Sequence, residues 1–134
     1  MPRPPAASGL GGEMQKVRDR VLRLMEEDKP YLDPTLNFAG FARQVGIGQV
    51  ALRTLINQEL GYRHFRNFLN EWRVDAAKRV LADPARSDDK IVAIAFEVGF
   101  ASLASFNRVF QAQQNQSPSA YRAAMLRDQV GDPG

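Results

Sequence analysis

Apolar residues recur along this chain at three- and four-residue spacing, in blocks separated by short breaks that carry glycine, proline, serine or asparagine. Met14, Val17, Val21 and Leu24 mark one such block and predict a helix over Glu13 to Asp28, packed on its own domain. Asp33-Pro34 then makes a turn, and Asn37 is placed to cap the next helix. Phe65, Phe68, Leu69, Trp72, Ala76 and Val80 predict a long amphipathic helix over about residues 64–82, a rod of about 25 Å. Its aromatic stripe, Trp72 included, reads as core rather than as a platform for stacking bases. The rod ends at Ala82-Asp83-Pro84, because proline cannot continue it, and Ser87, Asp88 or Asp89 is expected to cap the helix after it. A further helix over about 102–114 starts at Ser102, buries Phe106, Val109 and Phe110, and stops at Asn115; Ser117-Pro118 opens a closing helix. No stretch alternates like a strand, so the fold predicted is all-α, with seven helices.

Two of these segments repeat each other. Ala42, Val45, Gly46 and Ile47 match Ala95, Val98, Gly99 and Phe100, with Gly99 standing 53 residues after Gly46. Leu52 to Ile56 matches Phe106 to Phe110 at an offset of 54, so the second turn carries one extra residue. Gly61 matches Asn115, and both tolerate the left-handed backbone that ends a helix. Each unit is a helix, a glycine turn and a second helix, with a small alanine that lets the two helices approach. That is the helix-turn-helix pattern, whose second helix enters a DNA major groove. The domain organisation that follows is a linker over about 1–13, a helix and turn over 14–35, the first helix-turn-helix over 36–63, the connecting helix over 64–82, the second helix-turn-helix with its closing helix over 83–128, and a tail over 129–134.

Charge reinforces the units. The net formal charge is only +3, but it is unevenly placed. Residues 43–79 carry seven basic and three acidic groups, residues 83–97 two and four, and residues 98–127 three arginines and no acid. Positive blocks that coincide with helix-turn-helix units point to a polyanion. Cysteine is absent, which removes disulfides and thiolate chemistry, and His64 is the single histidine. No paired carboxylates, phosphate-binding glycine loop or metal-ligand cluster appears at useful spacing, so no enzymatic activity, cofactor, metal or small-molecule site is expected. No apolar run approaches 18 residues, and the first residues lack a secretory core.

The stretches LNFAGFARQVG, ALRTLINQELG, FLNEWRVDAAKRVLAD and IVAIAFEVGFASLASFNRVFQAQQNQSPSAYR together resemble the DNA-binding domain of AraC/XylS-type bacterial transcription regulators, over about residues 36–124. The chain departs from that pattern at three places. Asn115 stands where glycine is usual, Gly40 lies inside a helix, and Gly48 replaces a Ser/Thr-type cap. The resemblance implies a cytoplasmic transcription factor that binds double-stranded DNA, with RNA polymerase as a further partner and a sensing or dimerising domain upstream. A membrane-anchored regulator is one form this takes.

In the first unit the recognition helix is expected over about 49–60, with Gln49, Val50, Arg53 and Thr54 on its open face and Leu52, Leu55 and Ile56 inside. Arg53 suits either a bidentate contact to guanine or a phosphate clamp, and Asn57 and Gln58 lie too far along to reach bases. In the second unit Leu103, Ala104, Asn107 and Arg108 face outward. Leu103 and Ala104 suit a thymine methyl, Asn107 an adenine, and Arg108 a guanine or a phosphate. Phosphate contacts are expected from the helix starts at Gly48, His64, Ser102 and Ser117, with Arg63, Arg66 and Arg122 alongside. Two such helices on a stiff rod suit successive major grooves about 34–36 Å apart, with the DNA bent to accept both. The competing reading is a helical protein-interaction module without DNA binding. It requires an exposed apolar patch, and the apolar positions are all expected to be needed for the two units.

Overall fold

The structure, a computed structural model, describes residues 9–130. The expected linker up to residue 8, and the tail from residue 131, lie outside the described residues. The described residues form seven α-helices: α1 (Gly9–Glu27), α2 (Phe38–Val45), α3 (Gln49–Thr54), α4 (Phe65–Leu81), α5 (Ile91–Glu97), α6 (Leu103–Gln114) and α7 (Pro118–Val130). No strand occurs among the described residues. Helix α1 begins at Gly9, ahead of the expected Glu13. Apolar periodicity starts only at Met14, and the Gly-Leu-Gly-Gly run that precedes it has poor helix propensity; an existing helix nonetheless adds one hydrogen bond for each residue it gains.

The chain divides into two compact units. Unit 1 takes the residues up to Pro30 and then Leu36–Phe68; unit 2 takes Tyr31–Thr35 and the residues from Leu69 on. Helix α4 therefore supplies its first turn to unit 1 and the rest to unit 2.

In unit 1, Val21 and Met25 of α1, Phe41 of α2, Leu52 of α3, Leu55, Ile56 and Phe68 are all essentially inaccessible to water. Each such side chain contributes about 1.5–3 kcal/mol through burial. The Asn37 Oδ1 accepts from the Gly40 N–H at 2.8 Å, the cap expected from the sequence. Gly46 ends α2 in the left-handed region at φ 86°, its N–H donating to the Ala42 carbonyl. The Arg20 Nη1 donates to the Val45 carbonyl at 2.7 Å, so a cation from α1 satisfies the last turn of α2. Gly48 stands at the N-cap of α3 with no side-chain hydrogen bond to offer.

Helix α3 does not run as one α-helix to residue 60. Its α geometry stops at Thr54, and a π turn over Leu55–Glu59 completes it, with the Leu60 N–H donating to the Leu55 carbonyl. The wider turn keeps both Leu55 and Ile56 fully buried. It also brings Asn57 round to the next loop, where its Nδ2 donates to the Tyr62 carbonyl at 2.7 Å and the Arg63 carbonyl at 3.2 Å. Such wide turns are rare and recur at functional sites.

In unit 2, the inner face of α4 (Val74, Ala77, Leu81) packs with Ile94, Ala95 and Val98 of the α5 region and with Phe100, Phe106 and Phe110. Trp72 packs 5.8 Å from the Tyr31 ring, as the core reading of the aromatic stripe requires. Arg73 is only 7% exposed. Its Nε donates to the Tyr31 carbonyl at 2.7 Å and its Nη2 to the Asp33 carbonyl at 3.0 Å, fastening the Tyr31–Thr35 loop to α4. Gly99, at φ 104°, lies against this clasp: a Cβ there would overlap the Tyr31 carbonyl oxygen and come within 2.8 Å of Arg73 Nε.

The cap expected for α5 is corrected. Its N-cap is Lys90, without a side-chain hydrogen bond, because the Asp89 carboxylate already accepts from Arg86 Nε at 2.7 Å and Ser87 closes the short 3-10 turn Pro84–Arg86. Helix α6 ends as expected at Asn115, left-handed at φ 59°. The Ser117 Oγ accepts from the Ala120 N–H at 3.1 Å and starts α7.

These contacts make opposite predictions for two glycines. Gly99→Ala meets both a forbidden φ and backbone overlap, and should cost at least about 3 kcal/mol in urea unfolding. Gly48 is extended and open, with nothing within 4 Å of an added Cβ. Gly48→Ser should therefore gain roughly half a kcal/mol by supplying the missing cap.

Candidate nucleic-acid interface

Each unit presents its second helix in the same way. Inward positions are apolar and buried: Leu52, Leu55 and Ile56 in unit 1, Phe106 and Phe110 in unit 2. The opposite positions of the first turns are left to solvent. Gln49, Val50 and Arg53 are exposed, Val50 at 76%, and Thr54 is half-buried. Leu103, Ala104, Asn107 and Arg108 are exposed on α6. The open faces predicted from helical periodicity are therefore open, Thr54 least so. Neither face carries a carboxylate within its first turns.

The start of α6 is built by its cap. The Ser102 Oγ accepts from the Ser105 N–H at 3.1 Å, which fixes the first turn and sets Leu103 and Ala104 at its tip. Ser102 and Ser117 thus spend their hydroxyls as acceptors within their own helices, leaving backbone N–H groups as the groups free to meet an anion. Gly48, Arg63, His64 and Arg66 are exposed. His64 sits at the start of α4, its carbonyl accepting from the N–H groups of Asn67 and Phe68.

Arg122 has an internal task. Its Nη1 donates to the Asp89 carbonyl at 2.6 Å, tying α7 to the turn before α5. That uses one of its five N–H donors and leaves the others for the phosphate role expected for it. The Arg86 guanidinium is likewise engaged, its Nη1 donating to Glu97 at 2.9 Å and its Nε to Asp89. These bonds raise the Arg86 pKa above its ordinary value, Glu97 contributing more than Asp89, and the same Arg86 bond holds the Glu97 carboxyl below its ordinary value. The acidic stretch before α6 is thereby partly neutralised from within.

Arg53 is not simply extended into solvent. Its guanidinium carbon lies 5.0 Å from the centroid of the Phe38 ring, a cation–π stack. Phe38 is itself held edge-on to Phe65, at 5.4 Å. Beside them runs a groove of about 370 Å³, whose walls include Arg53, Asn57, Arg63 and His64. Sequence reasoning missed this groove and the part Asn57 has in it. The π turn that redirects Asn57 leaves no signature in apolar spacing, and the Phe38–Arg53 pair joins residues of different helices.

One expectation about the surface is overturned. Val92 and Phe96, four residues apart on α5, are exposed at 36% and 52%. The second helix-turn-helix core is complete without them, so not every apolar position is committed to packing. Among the described residues no group of three or more His, Asp or Glu could hold a metal ion, and no helix is long and apolar enough to cross a membrane.

Comparison with known proteins agrees with this geometry. A family model described as a helix-turn-helix domain matches residues 41–124. An uncharacterized HTH-type transcriptional regulator of Staphylococcus aureus is 31% identical over 104 residues, which are 78% of this chain and 13% of that protein. The chain thus spans only about an eighth of the length of the curated relatives it matches. Among solved structures, a transcriptional regulator from Chromobacterium violaceum, titled as an AraC-type DNA-binding domain-containing protein, superposes with a TM-score of 0.70 at 25% identity, over 92% of this chain and 99% of that one. The C-terminal domain of AraT, a response regulator from Geobacillus stearothermophilus, superposes with a TM-score of 0.69 at 24% identity, over 95% and 97%. The chain belongs to the AraC-type helix-turn-helix family.

The Arg86–Glu97 pair predicts a pH dependence with a definite sign. A carboxylate held below its ordinary pKa stabilises the folded state above its unfolded value, and that contribution is lost as pH falls through the folded value. Glu97→Gln should lower the urea midpoint at neutral pH, and the gap from wild type should close on acidification. Both carboxylate and guanidinium are partly solvated, so the gap is small and shrinks with added salt.

Proposed function

We propose that this chain binds double-stranded DNA by sequence, as the output part of a bacterial transcription regulator, with one recognition helix from each unit entering a major groove. The observation that carries the reading is the duplicated arrangement itself: α3 and α6 each follow a glycine turn, bury one face, and leave an acid-free first turn open. Its similarity to an HTH-type transcriptional regulator and to an AraC-type DNA-binding domain-containing protein supports it.

The two faces differ in chemistry. Asn107 and Arg108 on α6, and Gln49 on α3, offer the donors that adenine and guanine edges accept. Val50, Leu103 and Ala104 offer only apolar contact, suited to thymine methyls. Backbone contacts come from Arg63, His64 and Arg66 and from the N–H groups at the starts of α4, α6 and α7. Two grooves read by one chain imply an asymmetric site, with the half-sites about one helical turn apart. The place of action is the cytoplasm, where a bacterial chromosome is met, and a sensing or dimerising domain in the same protein supplies the signal.

A protein partner is a second reading for one face only. The exposed pair Val92 and Phe96 on α5 suits an apolar contact with another protein, RNA polymerase among the candidates for a transcription regulator.

Selection from a random duplex library should yield an asymmetric motif with two half-sites about 10 base pairs apart, and binding should fall steeply with salt. Asn107→Ala should relax preference at a base pair in one half-site only, by about 1–3 kcal/mol of discrimination. Recovery of no motif, with binding indifferent to salt, would refute the proposal.

A further inference from the structure

The groove beside α3 carries two arginines and no acidic side chain on its walls. Arg53, Arg63 and His64 reach it from two elements, Phe38 and Phe65 form its apolar side, and no carboxylate lines it. It is large enough to admit a tetrahedral oxyanion. Two features show that its cationic groups are held there. Arg53 lies over the Phe38 ring, 5.0 Å from its centroid, which limits how far the guanidinium swings while leaving its N–H edge able to donate. Asn57 donates to the carbonyls of Tyr62 and Arg63 and so holds the segment that brings Arg63 and His64 to the groove. Asn57 faces that segment because of the π turn over Leu55–Glu59.

Reading a guanine asks something different of an arginine. The side chain must stand away from its helix and lie in the plane of a base pair, with both N–H groups on the O6 and N7 atoms. A guanidinium stacked on the Phe38 ring of the neighbouring helix is held beside the groove instead of standing away from its own helix. We propose that this groove seats a phosphate of the DNA backbone, with Arg53 as the clamp and Asn57 as the positioning residue, so that Arg53 supplies affinity and leaves base preference in unit 1 to Gln49 and Val50. The inference rests on the DNA-binding reading and deepens it.

The test compares wild type with Arg53→Gln and Asn57→Ala. Fluorescence anisotropy follows binding to the library-selected duplex and to a random duplex over a range of salt. Arg53→Gln should weaken both duplexes by the same factor, roughly tenfold, and reduce the slope of log affinity against log salt by about one. The preferences recovered from the library should be unchanged. Asn57→Ala should give the same pattern more weakly, about threefold, because it acts through the loop. In a methylphosphonate scan, one neutralised phosphate should weaken wild type and have no further effect on Arg53→Gln. Relaxed preference at a single base pair, with the salt slope intact, would make Arg53 a base reader and overturn the proposal. Arg53 is exposed, so its replacement spares the core, and Arg63→Gln repeats the test at the groove's second arginine. If wild type binds no duplex, the DNA reading fails. The groove is then tested alone by NMR titration with inorganic phosphate at constant ionic strength. Shifts centred on Arg53 and His64 that vanish in Arg53→Gln retain an oxyanion site, and their absence removes it.

Discussion

Everything this chain does with α3 and α6 depends on how sharply the backbone turns just before each of them. Gly46, directly after α2, and Gly99, one residue beyond the Val98 cap of α5, take positive φ, a conformation that a Cβ makes costly. The turn brings the second helix against the first, and Ala42 or Ala95 of the first is buried. Which residues of the second helix are buried, and which are presented, then follows from helical geometry. In unit 2 the constraint is tighter. Gly99 lies against the bonds from Arg73 to the carbonyls of Tyr31 and Asp33, so conformation and close packing both exclude a side chain.

The buried Arg73 shows why such a clasp is selective. A guanidinium taken out of water loses hydration, and its N–H groups regain partners only if carbonyls are brought to it. Here the loop Tyr31–Thr35 does so, shaped by an Asp33 side chain that accepts from the Thr35 N–H at 2.8 Å and hydroxyl at 2.7 Å. The Thr35 hydroxyl bond, more than the backbone bond or Arg73, keeps the Asp33 carboxyl below its ordinary pKa. A loop apart in sequence thereby becomes part of the second helix-turn-helix unit.

The two units resemble one another in frame and differ in finish. Unit 2 has a side-chain cap at Ser102 and a regular recognition helix that ends at Asn115. Unit 1 has an uncapped start at Gly48 and a π turn halfway along. In unit 1 this irregularity is tied to an aromatic-backed cationic groove, whereas α6 projects an exposed arginine and asparagine from a regular helix. Asymmetry of this kind suits the proposed reading of two different half-sites by one chain.

The frame was legible in the sequence because it is written in local signals. Apolar spacing announced the helices, asparagine, serine and glycine marked most of their ends, and the repeat at 53–54 residues exposed the duplicated unit. The outward faces of α3 and α6 followed, since burying one side of a helix leaves the other defined. Tertiary structure alone decided which partner each polar group took. Asp89 was available as a cap until Arg86 claimed it, Arg122 gained the Asp89 carbonyl as an internal partner, and Phe96 was available as core until the core closed without it. Asn57 and the Phe38–Arg53 stack belong to the same class. A hydrogen bond or a ring stack between distant residues depends on distances of a few ångströms, which residue spacing along a chain does not encode.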